Sequence, residues 1–205
     1  MKKKILISTG GSGGHVVPAL NLYNHLKNEF DVLLYTDVRG TKYIPEKIKK
    51  IIFEVKKIPE KKHLFPLKII FLFFAFIKSL IHFRRNKIDI LISTGGYMSL
   101  PLCLSAKILN IKTYLFEPNM VIGRSNKFFL KFSEKIICYS NKLINFPEKY
   151  KNKLAVINPL LRKEIYEEKK KIKNKVKKPF TILIIGGSQG SEFFDNEISE
   201  LMIIL

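Results

Sequence analysis

The chain has 205 residues, 46% hydrophobic and 26% charged, which excludes a disordered protein and suffices for one domain or for one domain and part of another. Its net charge of +20, from 37 lysines and arginines against 17 aspartates and glutamates, favours anionic partners such as nucleic acid, acidic lipid headgroups or phosphorylated substrates. Lysine is abundant along the whole chain, and no aromatic–basic RNA motif appears, so we expect no nucleic-acid partner.

Short apolar runs alternate with segments of helical periodicity along the chain. This alternation predicts an α/β fold, a Rossmann-like doubly wound parallel sheet. The predicted strands are 4–8, 31–36, 51–56, 88–93, 111–116, 135–139, 153–157 and 180–185. The predicted helices are 15–28, 41–49, 66–85, 99–109, 121–132, 141–145 and 191–201. Ligands in such sheets bind at the carboxyl ends of strands, so the polar segments after each strand are the candidate sites.

A glycine-rich segment, Ser8–His15, joins the first predicted strand to the first predicted helix. Its glycines let backbone N–H groups approach a ligand, and the helix start adds partial positive charge. It is neither a dinucleotide fingerprint, which would need glycine at Val16, nor a Walker A loop. His15 can exchange a proton near neutral pH, and Pro18 is expected in the first helical turn. The segment predicts either an anion site or only a tight turn.

The second unusual segment, residues 64–83, contains nine consecutive apolar residues from Ile69 to Ile77. The run is shorter than the ~20 apolar residues that a spanning helix needs. Basic residues flank it, among them Lys78, Arg84 and Arg85. Such a helix could lie in a membrane interface or be buried against the sheet, and both alternatives stay open.

The end of the chain predicts a second domain. Residues 163–179 are lysine-rich, which predicts a linker or a solvated helix, and a further strand and the glycine loop Gly186–Gly190 follow. The chain then stops at Leu205, so we expect a truncated sequence. Cys103 and Cys138 lie in apolar segments without metal-ligand spacing, which predicts buried thiols and no metal site. The apolar run near the N-terminus is too short for a signal peptide, which predicts a cytoplasmic protein.

Five motifs in order resemble those of the MurG family of peptidoglycan glycosyltransferases, within glycosyltransferase family 28. The matching segments are Gly10–Pro18, Gly95–Pro101, Glu117–Asn119 with Gly123 and Asn126–Lys127, Asn158–Arg162, and Gly186–Gly190. The resemblance implies a GT-B fold: an N-terminal acceptor- and membrane-binding domain over 1–162, a linker over 163–179, and an incomplete UDP-sugar-binding domain over 180–205. It implies inverting transfer of N-acetylglucosamine from UDP-N-acetylglucosamine to the muramyl 4-hydroxyl of lipid I, a lipid-linked muramyl-pentapeptide. The expected place is the cytoplasmic face of the bacterial membrane, and no cofactor or metal is expected.

The resemblance also implies site residues. The expected donor contacts are Ser12, Gly13, Gly14, Asn119, Arg162 and Ser188. The expected acceptor loop is Gly95, Gly96 and Tyr97. The expected residues at an anionic membrane surface are Phe71, Phe73, Phe74, Phe76, Lys78, Arg84 and Arg85. His15 is the expected general base and Glu117 its rival.

The sequence departs from the family pattern in three places. Pro118 replaces a glutamine, Ile157 replaces a glycine, and Arg162 lies one residue further from Pro159 than usual. Most of the second domain is also missing. The alternative to an active enzyme is therefore an incompetent fragment, or a membrane-docking acceptor subunit whose partner supplies the donor-binding half.

Overall fold

A computed structural model describes residues 2–53, 65–161 and 165 of the chain. By its internal contacts the chain divides into two units, Met1–Lys163 and Glu164–Leu205, and the fold below is that of the first unit. The predicted linker over 163–179 and second domain over 180–205 lie outside the described residues, Ile165 excepted. The predicted domain boundaries therefore stay predictions.

Seven parallel strands of the described residues form one sheet, in the order β3-β2-β1-β4-β5-β6-β7. The strands are β1 (Lys4–Ser8), β2 (Asp31–Thr36), β3 (Lys50–Ile52), β4 (Ile90–Ser93), β5 (Lys112–Glu117), β6 (Lys135–Cys138) and β7 (Leu154–Val156). The central strand β1 is apolar on both faces and buried, as a parallel strand covered by helices on both sides must be. The strand order reverses between β1 and β4, which opens a crevice at the carboxyl ends of these two strands. The predicted doubly wound α/β fold is confirmed.

Helices cover both faces of the sheet. They are α1 (Gly13–Leu26), α2 (Val38–Thr41), α3 (Phe65–Asn86), α4 (Ser99–Ile108) and α5 (Arg124–Phe129), with a 3₁₀ helix at Glu148–Lys153. Alternate residues of β1 enter different apolar clusters, because successive strand side chains point to opposite faces. Ile5 and Ile7 pack with α1, whereas Leu6 packs in the cluster that contains residues of α3 and α4.

The predicted helix over 41–49 is wrong. The side chain of Asp37 accepts a hydrogen bond from the N–H of Gly40 at 2.8 Å and caps a short helix that begins at Val38. Pro45 then lacks the N–H that a helix needs and restricts the residue before it, so the chain continues in turns after Thr41.

The predicted helices over 121–132 and 141–145 also differ from the structure. Val121 pairs with Ile144 in an isolated parallel bridge, and the N–H of Ile144 donates to the carbonyl of Met120 at 2.8 Å. Both segments are thus extended where they meet. Residues 141–145 form no helix, and α5 spans only Arg124–Phe129. This pairing joins residues that are 23 positions apart, so local periodicity could not reveal it.

Two smaller expectations have different outcomes. Helix α1 begins at Gly13, two residues earlier than predicted, so Pro18 lies beyond the first turn rather than within it. The predicted buried thiols are confirmed, because Cys103 and Cys138 are free and buried. Burial raises the pKa of the Cys103 thiol to about 12, so this cysteine is a thiol and not a nucleophilic thiolate at neutral pH.

Candidate functional site

Three loops follow neighbouring strands at the carboxyl edge of the sheet. Glycine loop 1 (residues 9–12) follows β1, glycine loop 2 (residues 94–98) follows β4, and the Asn119 loop (residues 118–123) follows β5. The hydroxyl of Thr94 donates to that of Thr9 at 2.9 Å, and a Cβ atom built on Gly96 would lie 3.6 Å from the carbonyl oxygen of Gly10. The two glycine loops therefore lie side by side, at the point where the strand order reverses.

Glycine loop 1 leaves the start of α1 open to a ligand. Gly11 has a φ of +83°, a conformation that side-chain-bearing residues rarely adopt. The side chain of Ser12 makes no capping hydrogen bond to the helix. Within the described residues, the N–H groups of Ser12, Gly13 and Gly14 donate to no protein acceptor. Free N–H groups at the start of a 14-residue helix can hold an anion.

Asp37 fixes glycine loop 1 and was missed in the sequence analysis. Its Oδ1 accepts the N–H of Gly11 at 2.9 Å and that of Gly40 at 2.8 Å, while Arg39 donates to Oδ2 at 2.8 Å. Burial alone would raise the pKa of Asp37, but the hydrogen bonds from Gly11, Arg39 and Gly40 outweigh it and hold that pKa below its usual value. Asp37 follows β2, the neighbour of β1, so the strand order was the signal that could have found it.

His15 lies in the first turn of α1, directly after the free N–H groups. The residue is half-buried, and its Nδ1 is buried without a hydrogen-bond partner among the described residues. Within the part of the chain that the structure describes, Nε2 has no hydrogen-bond partner and is not buried in the way that Nδ1 is.

Glu117, the rival candidate base, is 1% exposed and accepts four hydrogen bonds. Oε1 accepts the backbone N–H of Asn119 at 3.3 Å and its side-chain Nδ2 at 3.0 Å. Oε2 accepts the N–H of Gly123 at 2.8 Å and the Nδ2 of Asn126 at 3.0 Å. An ionised carboxylate offers about four acceptor positions, and here all of them are used within the protein. Glu117 thus holds the Asn119 loop in place.

The predicted site residues divide into three groups. The structure brings together Ser12, Gly13, Gly14, His15, Gly95, Gly96, Tyr97, Glu117 and Asn119 at one edge of the sheet. Burial raises the pKa of the half-buried Tyr97, whereas Asn119 is exposed. The other two predicted donor contacts, Arg162 and Ser188, lie outside the described residues. The predicted membrane residues form the third group, on α3.

Helix α3 carries an apolar face that no other described element covers. Its exposed large apolar side chains are Leu67, Ile69, Ile70, Phe73, Phe74, Ile77 and Ile81. The predicted membrane residues Phe73 and Phe74 are 57% and 64% exposed, whereas Phe71 and Phe76 are half-buried. The basic side chains of Lys78, Arg84 and Arg85 are exposed beside them.

The opposite face of α3 belongs to the core. Ala75, Ser79 and Phe83 recur every four residues and are buried. The hydroxyl of Ser79 donates to the carbonyl of Pro101 at 3.2 Å and also contacts the hydroxyl of Ser105 in α4. One helix therefore has a face buried in the core and an exposed apolar face, so the expectation of burial holds for the first face, and the membrane interface stays a prediction for the second. Among the residues that the structure covers, no helix is long and apolar enough to cross a membrane.

Comparisons with known proteins agree with this geometry. The sequence model of the glycosyltransferase family 28 N-terminal domain matches residues 5–138. The chain is 55% identical over 206 residues to the UDP-N-acetylglucosamine–N-acetylmuramyl-(pentapeptide) pyrophosphoryl-undecaprenol N-acetylglucosamine transferase of Pelagibacter ubique, covering 100% of this chain and 57% of that protein. It is 35% identical to the transferase of the same name from Wolbachia sp. subsp. Brugia malayi, covering 97% and 54%.

A solved structure shows the same fold. The crystal structure of MurG from Acinetobacter baumannii superposes with a TM-score of 0.74 at 22% identity, covering 99% of this chain and 58% of that one. The chain thus spans little more than half the length of the curated relatives that it matches.

Proposed function

The chain belongs to glycosyltransferase family 28, and from this premise we propose that it is an N-acetylglucosaminyltransferase in which the unit Met1–Lys163 binds the acceptor. The enzyme transfers N-acetylglucosamine from UDP-N-acetylglucosamine to the muramyl 4-hydroxyl of lipid I and so forms lipid II for peptidoglycan. The observation that carries the proposal is the 55% identity, over the whole chain, to a relative whose name states this donor and this acceptor. The adjoining glycine loops at the reversal of strand order supply a crevice for such substrates.

His15 is the general base in this proposal. Inverting transfer needs a group that takes the proton of the attacking hydroxyl as the bond to the sugar forms. Nε2 of His15 has no hydrogen-bond partner among the described residues, and in the tautomer that carries its proton on Nδ1 the lone pair of Nε2 can accept a proton. Every acceptor position of Glu117 is already occupied, which favours a structural role for that carboxylate.

The free N–H groups at the start of α1 are proposed to bind an anionic part of the substrates. Ser12, Gly13 and Gly14 present these donors beside His15. Asn119 is a further proposed donor contact on this domain, and its exposed amide is held by Glu117. Arg162 and Ser188 stay predicted contacts to the donor.

The exposed face of α3 is proposed to dock on the cytoplasmic face of the bacterial membrane. Phe73 and Phe74 offer apolar surface to the lipid, and Lys78, Arg84 and Arg85 offer charge to acidic headgroups. The net charge of +20 supports an anionic surface as the partner.

A second candidate function is a membrane-docking acceptor subunit that becomes active only with a donor-binding partner. The observation that favours it is that one unit, Met1–Lys163, carries both the exposed face of α3 and the glycine loops. The experiment that separates the two candidates measures transfer from radiolabelled UDP-N-acetylglucosamine to a lipid I analogue. It uses the 205-residue chain alone and the chain with the C-terminal part of that relative added as a separate polypeptide.

Turnover by the chain alone supports the enzyme, and turnover only with the added part supports the acceptor subunit. The full-length relative is the positive control, and UDP-glucose tests the choice of donor. His15→Ala is expected to abolish whichever activity is found. If neither arrangement turns over while the full-length relative does, both candidates are wrong for this chain.

A further inference from the structure

The side chain of Asn126 lies between Gly95 of glycine loop 2 and Glu117, the carboxylate that holds the Asn119 loop. Asn126 lies in α5 and is 1% exposed. Its Nδ2 donates to Oε2 of Glu117 at 3.0 Å and to the carbonyl of Phe116 at 3.4 Å. On the other side, a Cβ atom built on Gly95 would lie 3.4 Å from both Nδ2 and Oδ1 of the same amide. One buried amide therefore lies between glycine loop 2 and Glu117.

The chemistry of Glu117 determines which way this amide points. An ionised carboxylate only accepts hydrogen bonds, so the NH₂ group of Asn126 must face Oε2. Oδ1 then points away from Glu117 and has no donor among the described residues, although it is buried. An unpaired buried acceptor costs free energy, so stability alone does not account for an asparagine here. Of the two amide groups, only the NH₂ group makes hydrogen bonds to described residues.

Glycine loop 2 is fitted closely against α5. Gly95 and Gly96 have φ values of +89° and +87°, so two successive residues adopt the left-handed region that favours glycine. The hydroxyl of Ser99 donates to the carbonyl of Gly96 at 2.7 Å and also contacts the hydroxyl of Ser125, the residue before Asn126. The first turn of α5 thus lies against Gly95 and reaches Gly96 through Ser99 of α4.

We propose that Asn126 is a positioning residue that sets both loops at once. It holds glycine loop 2 through Gly95, and it holds the Asn119 loop through Glu117. The proposed acceptor loop and a proposed donor contact therefore take their places from the same amide. The assignment of substrates to these loops rests on the proposed function, but the mechanical coupling between them does not.

The test compares Asn126→Asp and Asn126→Ala with the unmodified chain by amide hydrogen exchange, without any substrate. In Asn126→Asp the amide donor to Oε2 of Glu117 is replaced by a carboxyl group, and two ionised carboxyls at this distance repel. We expect protection in glycine loop 2 and in the Asn119 loop to fall about tenfold or more, while β1 and β4 keep theirs. Asn86→Asp is the matched control and should leave both loops unchanged, because Asn86 precedes β4, at the edge of the sheet opposite the loops, and its amide bonds the carbonyl of His82 within α3.

Lowering the pH supplies the decisive measurement. When the facing carboxyls take up a shared proton at lower pH, the new carboxyl group in Asn126→Asp can again donate a hydrogen bond to Glu117. Protection factors of both loops should then recover in Asn126→Asp but not in Asn126→Ala, which has no donor at any pH. The proposal is overturned if protection is lost in both variants and does not recover at lower pH in Asn126→Asp. It is also overturned if the loss of protection spreads to β1 and β4, or if the protection of the two loops does not change.

This outcome is independent of the transfer assay. Coupled loops in a chain that turns over in neither arrangement of the transfer assay would leave the positioning role intact and contradict the proposed function. Turnover in a chain whose loop protection does not depend on Asn126 would support the proposed function and contradict the positioning role.

Discussion

Replacing Phe73 and Phe74 together with serine should weaken binding of the chain to anionic vesicles about a hundredfold. The two side chains are 57% and 64% exposed. With about 200 Å² of surface for each phenylalanine, they present roughly 240 Å² to the surroundings. At about 25 cal/mol per Å², complete insertion would contribute about 6 kcal/mol. Insertion of half that area gives about 3 kcal/mol, which corresponds to about a hundredfold in affinity.

The assay is co-sedimentation with vesicles of phosphatidylglycerol and phosphatidylcholine, at low and high salt. Val156→Ser is the matched control, because Val156 is 52% exposed but lies on β7 at the edge of the sheet. Urea unfolding of each variant shows whether the fold persists. We expect the double variant to stay folded, because both replaced rings are exposed. Phe83→Ser provides the contrast, since Phe83 is 1% exposed and its loss should destabilise the fold by about 3 kcal/mol or more.

Two results would refute the reasoning about α3. A folded double variant that binds vesicles as tightly as the unmodified chain would show that this face does not meet lipid. A double variant that unfolds like Phe83→Ser would show that the two rings support the core.

Three further predictions concern the stability of the fold. Asp37→Ala should lower the free energy of unfolding by about 2 kcal/mol by urea titration, because a cap and a loop hydrogen bond are lost. The pKa of Asp37 is lowered in the folded chain, so its contribution to the free energy of unfolding is complete above the usual pKa of 3.8 and is lost as the pH falls below that value. In Asp37→Asn this part of the pH dependence should disappear. Lys153→Met should lower the free energy of unfolding by about 2 kcal/mol, because the ammonium donates to the carbonyls of residues 130, 131 and 133. Lys151→Met should lower it by less than about 0.5 kcal/mol, because Lys151 forms only an exposed ion pair with Glu148. Tyr35→Phe should cost about 1 kcal/mol by thermal unfolding, since the buried hydroxyl bonds Nδ1 of His82 at 2.7 Å, and an unchanged midpoint would contradict that bond's role.

The strands were predictable because each is a short apolar run between polar segments. The α/β order followed from them, and the three loops followed from the rule that parallel strands end at one edge of the sheet. The helix over 41–49 was predicted from its apolar spacing alone, although Asp37 can cap a helix that begins at Val38 and Pro45 disfavours a helix that continues past it, and both signals are local in sequence. The segment 141–145 resembled a helix because its partner Val121 is distant in sequence.

The roles of individual site residues were less accessible. Glu117 has the residue type and the position of a base, and only its four hydrogen bonds favour a structural role. Asn126 was noticed as part of a motif, but its contact with Gly95 depends on how α5 packs. The run from Ile69 to Ile77 is apolar on every side, so its sequence could not say which phenylalanines face outward.

The reversal of strand order between β1 and β4 has a consequence for how the chain folds. Ser8 pairs with Ser93, so the two strands that carry the glycine loops are 85 residues apart in sequence. Parallel pairing over such a separation is slow, because a long loop must close before the contact forms. During synthesis, β1 can pair with β2 early, but the crevice cannot exist until β4 has left the ribosome. Ligand binding at this edge of the sheet therefore shows that β1 and β4 have paired.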